Sequence, residues 1–255
     1  MKVSSPHVRG LSILLSLVIS LLIFQSAALA RKRRPPRGGR IAVVVDERLS
    51  ALRESPELSG KLLQRIGRGR LVAIRGERRI RSGITFGLVN LTSRTKGWVQ
   101  RDALVKLSQK GEDERLLRLI RASEDFDCIA RARIFLDSFP QSALRPAVLL
   151  LYGDTAEAAA DRLSRDASRR LPVNQMAATD APDFSYFLNY TGLDRYNRQG
   201  IRFVFDRESK RFHYDGASWN EIIRRHPRSP EATEARRRLA AIKLGTAIVS
   251  PAHEP

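Results

Sequence analysis

The sequence predicts an α+β protein of two domains, a small β-barrel followed by a helical bundle that carries an inserted β-hairpin. Three observations lead to this prediction. Short apolar runs broken by glycine fill residues 41–107, apolar residues recur at helical spacing from residue 112, and two aromatic, strand-like segments flank residues 206–210. We expect the helical domain to extend to residue 244 and residues 245–255 to form a tail.

Composition and charge exclude several classes of protein. The 255 residues carry 46 Lys and Arg against 27 Asp and Glu, a formal net charge of +19, and 42% of them are hydrophobic, which is enough for a folded core. One cysteine and four histidines exclude an internal disulfide framework and a multi-cysteine zinc site. No glycine-rich phosphate-binding loop precedes a predicted helix, so we expect neither a nucleotide nor another cofactor.

The first 30 residues have the pattern of a secretory signal peptide. Lys2 and Arg9 supply the positive start, and small residues precede a cleavage site between Ala30 and Arg31. The apolar stretch at residues 11–24 is shorter than the roughly 20 residues that span a bilayer as a helix. We therefore expect a periplasmic or secreted protein. An uncleaved N-terminal membrane anchor is the alternative, because the basic residues that follow would favour the cytoplasmic side.

Residues 31–40 form a basic arm without an apolar side chain, and they include two prolines and two glycines. Such a segment has nothing to bury, so we expect it to be disordered. It is either an element that attracts anionic lipid, cell-wall polymer or nucleic acid, or a solvated leader between the signal segment and the first domain.

Residues 41–107 carry the pattern of a small β domain. A length of about 65 residues suits a small barrel better than a sandwich of two sheets, which takes around 100. The predicted strands are residues 41–45, 71–74, 84–89 and 96–99.

Three motifs follow one another within this domain. They are Ala-Leu-Arg-Glu-Ser-Pro at residues 51–56, Gly-Arg-Leu-Val-Ala-Ile at residues 69–74, and Gly-Trp-Val at residues 97–99. Their order resembles that of bacterial SH3-like domains, with Ala51 where the family usually has Asn. The resemblance implies a barrel that attaches to cell-wall peptidoglycan or to a protein ligand through grooves beside these loops.

Arg53 and Trp98 are the candidate ligand-binding residues of the domain. Arg53 presents a planar fork of hydrogen-bond donors, and Trp98 presents a large aromatic surface. Each has a structural alternative. Arg53 can be solvated or paired within the domain, and Trp98 can fill the core, which is the role that the pattern favours. We expect Gly97 to let two strands approach closely.

The polar residues 108–111 mark a linker, after which the apolar period becomes helical. We predict one helix from residue 112, a second over residues 125–138, and a third that begins at Asp154 and ends near residue 171. Residues 201–214 predict the hairpin, which is either a recognition platform or a packing element whose aromatic face is buried on the helices.

Two short motifs end helices in this half of the chain. Phe-Pro-Gln-Ser at residues 139–142 is echoed by His-Pro-Arg-Ser at residues 226–229, each after one amphipathic helix and before another. The pattern resembles the helical hairpins of tetratricopeptide-type domains in exported bacterial proteins. The resemblance implies that residues 112–244 form a degenerate tetratricopeptide-like bundle that binds a protein partner.

A catalytic cysteine is the sharpest enzymatic hypothesis. Asp127-Cys128 partly resembles the nucleophile motif of cell-wall cysteine peptidases, which often carry SH3-like domains. Ile129 and Ala130 stand where those enzymes have Ser-Gly, and His213 is the one candidate base. We therefore expect Cys128 to be a buried structural residue.

These observations together predict a non-catalytic exported protein. Its barrel attaches to the cell wall or to an envelope protein, and its helical domain mediates protein–protein interaction. We expect no specific nucleic-acid partner, and membrane contact only through an uncleaved signal segment. Two alternatives stay open: a peptidoglycan hydrolase or its accessory, and a polyanion or nucleic-acid binder, for which the net charge would suffice.

Overall fold

The computed structural model describes residues 38–248. The predicted signal segment, its cleavage site at Ala30 and Arg31, most of the basic arm and the end of the tail lie outside the described residues. Within residues 38–248, no helix combines the length and the apolar character that a membrane crossing requires.

Seven antiparallel strands form one sheet in the first part of the described chain. Their spatial order is β3-β2-β6-β5-β4-β1-β7, so β3 and β7 are its edges. No hydrogen-bonded pairing joins β3 to β7 in the described part of the chain, so the sheet is not a closed barrel. The strands are β1 (Arg40–Val44), β2 (Ala51–Arg53), β3 (Leu62–Arg65), β4 (Leu71–Arg79), β5 (Thr85–Asn90), β6 (Lys96–Gln100) and β7 (Leu104–Lys106).

The second part of the described chain is helical, with one inserted hairpin. The mixed α and β composition agrees with the prediction, and so does the position of the hairpin near residues 201–214. The elements are α1 (Glu112–Arg121), α2 (Asp125–Ser138), α3 (Arg145–Arg170), α4 (Val173–Ala177), α5 (Asp183–Leu188), α6 (Asp194–Asn197), β8 (Phe203–Asp206), β9 (Arg211–Tyr214), α7 (Ala217–Arg225) and α8 (Pro230–Ile248).

The start of α3 differs from the prediction. The helix begins at Arg145, not at Asp154, because Pro146 stands in its first turn, where a missing N–H costs nothing. Asp154 therefore lies inside the helix and caps nothing. Its carboxylate accepts hydrogen bonds from Arg238 of α8, with Oδ1 3.2 Å from Nε and Oδ2 3.3 Å from Nη2.

The two helix-ending motifs adopt the same turn. The N–H of Ser142 donates to the carbonyl of Phe139 at 3.2 Å, and the N–H of Ser229 donates to the carbonyl of His226 at 3.0 Å. In each copy the serine carbonyl then accepts a hydrogen bond from the backbone N–H three residues later, which is that of Arg145 after Ser142 and that of Ala232 after Ser229. The helices on either side of each turn, α2 with α3 and α7 with α8, pack against each other.

Strand alternation decides which side chains of β6 are buried. Gly97 and Val99 are buried, and Trp98 between them is partly exposed on the opposite face. Trp98 is therefore partly covered, but it belongs to neither apolar core of the described residues. The expected role of Gly97 is confirmed, because a Cβ on Gly97 would lie 2.7 Å from the carbonyl oxygen of Arg53.

Strand β1 is buried on both faces and connects the sheet to the helices. Ala42 and Val44 belong to the core of the sheet, whereas Val43 and Val45 pack in a second core with α1, α2 and α3. Val105 of β7 joins that second core. The predicted linker at residues 108–111 does fall between sheet and helices, but the two parts share apolar contacts across it.

Two groups of buried charges also lie between the sheet and the helices. Arg131 of α2 reaches the carboxylate of Asp46 at 3.0 Å and the carbonyl of Val45 at 3.2 Å. Glu112, at the start of α1, accepts hydrogen bonds from Arg101 at 2.6 Å and from the N–H of Lys106 at 3.0 Å. These contacts tie the first two helices of the helical part, α1 and α2, to the sheet.

Candidate functional site

Arg53 and Trp98 lie side by side on the face of the sheet that points away from its core. Trp98 of β6 is the register partner of Arg53 on β2 and of Leu88 on β5. Arg53 is in turn opposite Leu62 on β3. Because directly opposed residues on neighbouring strands share a face, Arg53, Trp98 and Leu88 form a continuous row across the sheet. Leu62 pairs with Arg53 at the far side of a register shift between β2 and β3 and extends the row to the β3 edge. We call Leu62, Arg53, Trp98 and Leu88 the Arg53–Trp98 row.

The end of this row at the β3 edge is apolar and exposed. Leu62 is 48% exposed, Leu63 beside it is 45% exposed, and Leu58 in the loop between β2 and β3 is 50% exposed. An exposed leucine next to an arginine and a tryptophan offers a partner both apolar and polar contacts. The row therefore has the composition of a binding surface, with a cation and an aromatic ring in the middle and aliphatic side chains at one end.

The Arg53 guanidinium is held in place by the loop between β2 and β3. Its Nη1 donates a 2.7 Å hydrogen bond to the carbonyl of Gly60. The same loop is closed by the N–H of Glu54, which donates to the carbonyl of Lys61 at 3.0 Å. In the described part of the chain the Arg53 side chain makes no other hydrogen bond. One edge of the guanidinium is thus fixed, and its remaining N–H groups are available to a ligand.

Cys128 and His213 are not brought together. The Cys128 thiol is buried 3.4 Å from the Thr155 hydroxyl, and burial raises its pKa, which disfavours the thiolate that a nucleophile needs. His213 instead places Nδ1 3.0 Å from the carboxylate of Glu157. Thr155 and Glu157 are two positions apart on α3 and so point about 200° apart around the helix. The expected burial of Cys128 is confirmed.

Sequence reasoning missed a concave surface in the helical part. A polar cleft of about 970 Å³ lies beside the second half of α3, and arginines line it. The spacing of Arg162, Arg165 and Arg169 indicates this surface in the sequence. These residues are three and four positions apart and therefore share one face of the helix. Within residues 38–248, no cluster of three or more His, Cys, Asp or Glu residues could hold a metal ion.

Comparisons with known proteins return no match. No model of a protein family matches the chain. No curated protein and no solved structure matches it either. Function therefore has to be inferred from the residues and their geometry.

Proposed function

We propose that the chain is a non-catalytic, exported protein of the bacterial cell envelope that binds a peptide on the Arg53–Trp98 row. The observation that carries this proposal is the register of β2, β6 and β3, which places Arg53 and Trp98 next to each other and next to the exposed Leu62. Both candidate residues from the sequence thus share one surface.

The chemistry of the row suits a peptide better than a sugar or a nucleic acid. A tryptophan ring covers apolar and amide groups alike, and a guanidinium donates two parallel hydrogen bonds to a carboxylate or bonds a peptide carbonyl. Leu62 adds aliphatic area that a phosphate backbone or a hydroxyl-rich sugar would leave unmatched. The peptide belongs either to the stems of peptidoglycan or to an envelope protein.

An SH3-like domain over residues 41–107 accounts for the same features. The close approach of two strands at Gly97 and the loop bound by Arg53 lie in two of the three motifs that suggested this family. The paired turns after Phe139 and His226 support a tetratricopeptide-like domain over residues 112–244. Domains of that class bind protein partners on helical surfaces, so we assign a partner-binding role to this half.

The non-catalytic part of the proposal rests on Cys128. A hydrolase of the cysteine peptidase type needs a thiolate within hydrogen-bond reach of a base. Cys128 is buried with its thiol in hydrogen-bond contact with the Thr155 hydroxyl. The His213 ring instead contacts the carboxylate of Glu157, on another side of α3, so it is not the base that such an enzyme would need beside Cys128.

Sedimentation with purified peptidoglycan tests the proposal. We expect Trp98→Ala and Arg53→Ala each to weaken binding at least about tenfold, since truncation of a central aromatic or arginine costs 1–2 kcal/mol or more. Arg81→Ala, in the exposed turn between β4 and β5, is the matched control and should leave binding unchanged. Circular dichroism establishes that each variant is folded.

A second arm of this experiment identifies the source of the peptide. If the chain does not sediment with peptidoglycan but captures an envelope protein, and both variants lose that protein, the ligand is a protein segment. Binding of either kind that survives both Trp98→Ala and Arg53→Ala would contradict the proposal.

A further inference from the structure

The arginine-lined cleft of the helical part is separate from the Arg53–Trp98 row. The second half of α3, the turn between β8 and β9, and α6 form its walls. Its volume of about 970 Å³ is large for a single small ion and its lining is polar. It has the size of a site for an extended ligand.

Positive charge is in excess among the described residues that line the cleft. Six of them are cationic, and three carboxylates in the lining oppose them, those of Asp125, Asp161 and Asp166. Lys210 also pairs with Asp183, outside the lining, at 3.0 Å, which leaves a surplus of two charges. The cationic residues are Arg162, Arg165, Arg169, Arg195, Lys210 and Arg211.

Two of these carboxylates, those of Asp161 and Asp166, are each shared between two arginines, whereas Asp125 pairs, among the described residues, with Arg162 alone at 2.7 Å. Asp161 pairs with Arg165 on its own helix and with Arg211 of β9. Asp166 pairs with Arg169 at 3.5 Å and also with Arg170 at 2.9 Å. One carboxylate between two guanidinium groups leaves donors that an incoming anion can use.

Arg195 is the cation in the cleft best prepared for an anion. Its guanidinium lies 4.8 Å from the ring centre of Tyr196 and 5.2 Å from that of Phe126, and it donates a 2.9 Å hydrogen bond to the Tyr196 hydroxyl. No carboxylate lies within 4.0 Å of it among residues 38–248. The side chain is therefore oriented by two rings, exposed, and not paired with an acid.

We propose that this cleft binds an extended anion with several phosphate groups. Guanidinium groups on three walls of a polar cleft match successive phosphates, each of which accepts two parallel hydrogen bonds from an arginine. Ser168 adds a hydroxyl donor to the lining. A monovalent carboxylate would engage one of these arginines and leave the others unused.

Calorimetric titration of the purified chain with inorganic tripolyphosphate tests this site. We expect binding that weakens as salt rises, because bound phosphates replace counterions. Arg195→Gln and Arg211→Gln should each weaken binding about tenfold or more, as the loss of a hydrogen bond to a charged group does. The slope of log affinity against log salt should fall by about one in each variant. Orthophosphate, with a single phosphate, should bind the wild type more weakly than tripolyphosphate.

Arg237→Gln is the matched control. Arg237 lies on α8, is 70% exposed and pairs with Glu234, so its loss removes the same charge without touching the cleft. We expect this variant to bind tripolyphosphate like the wild type. An equal loss of affinity in Arg237→Gln and Arg195→Gln would show attraction by the overall charge and overturn the site, as would the absence of binding at low salt or equal affinity for orthophosphate. If Arg195→Gln changes the melting temperature, the affinity of Arg211→Gln for tripolyphosphate is compared with that of Arg237→Gln instead.

Discussion

Replacing Arg131 with methionine is expected to lower the free energy of unfolding by about 3 kcal/mol, the lower end of the cost of leaving a buried charge without its partner. Arg131 is 4% exposed, and its Nη2 lies 3.0 Å from the Asp46 carboxylate. Methionine keeps the aliphatic packing but removes the donors to Asp46 and to the carbonyl of Val45. Asp46 retains its bonds to Arg48, which keeps the expected loss from being larger.

Urea unfolding followed by circular dichroism measures this effect. Arg133→Met is the matched control, because Arg133 lies on the same helix, is 46% exposed and pairs with Asp137 in solvent. An exposed pair of that kind contributes at most about 1 kcal/mol. If Arg131→Met and Arg133→Met unfold at the same urea concentration, the buried pair does not hold the sheet to the helices.

Replacing Glu112 with alanine should cost about 3–5 kcal/mol, because it removes the acceptor of a buried network. Glu112 is 4% exposed. It accepts hydrogen bonds from Arg101 at 2.6 Å, from the N–H of Lys106 at 3.0 Å and from Arg115 at 3.3 Å. The change leaves two guanidinium groups close together and one buried N–H without an acceptor.

The cooperativity of unfolding provides a second measurement on the same variant. Because sheet and helices share both charge networks and a core, we expect the wild type to unfold in one transition. Glu114→Ala, at an exposed position of the same helix, should leave the melting temperature nearly unchanged. A wild type that melts in two separate steps, or a Glu112→Ala variant that melts like Glu114→Ala, would contradict this account of the junction.

Local pattern predicted much of the fold. The short β-branched run at residues 41–45 predicted a strand, and the structure has β1 there, with its residues in two cores. The position of the hairpin followed from aromatic segments around a turn. Pro146 indicates the true start of α3 at Arg145, because proline is favoured in the first turn of a helix.

Features that depend on distant pairs could not be predicted. Asp46 and Arg131 are 85 positions apart, and nothing near either residue indicates the other. The motif at residues 97–99 located Trp98 but did not decide which face it occupies, because that depends on the register with β2. Only part of the cleft could be predicted from the sequence. The spacing of the arginines on α3 indicates a basic helix face, but only the tertiary fold brings Arg195 and Arg211 to it.

The most direct test of the binding surface uses the two tryptophans of the chain. Trp219 is 0% exposed, and Trp98 is partly exposed, so acrylamide quenches the fluorescence of Trp98 selectively. Soluble peptides released from purified peptidoglycan, or the captured envelope segment, should protect Trp98 from the quencher in a saturable manner. Arg53→Ala should remove that protection. Binding that leaves the quenching of Trp98 unchanged would place the ligand elsewhere and contradict the proposed function.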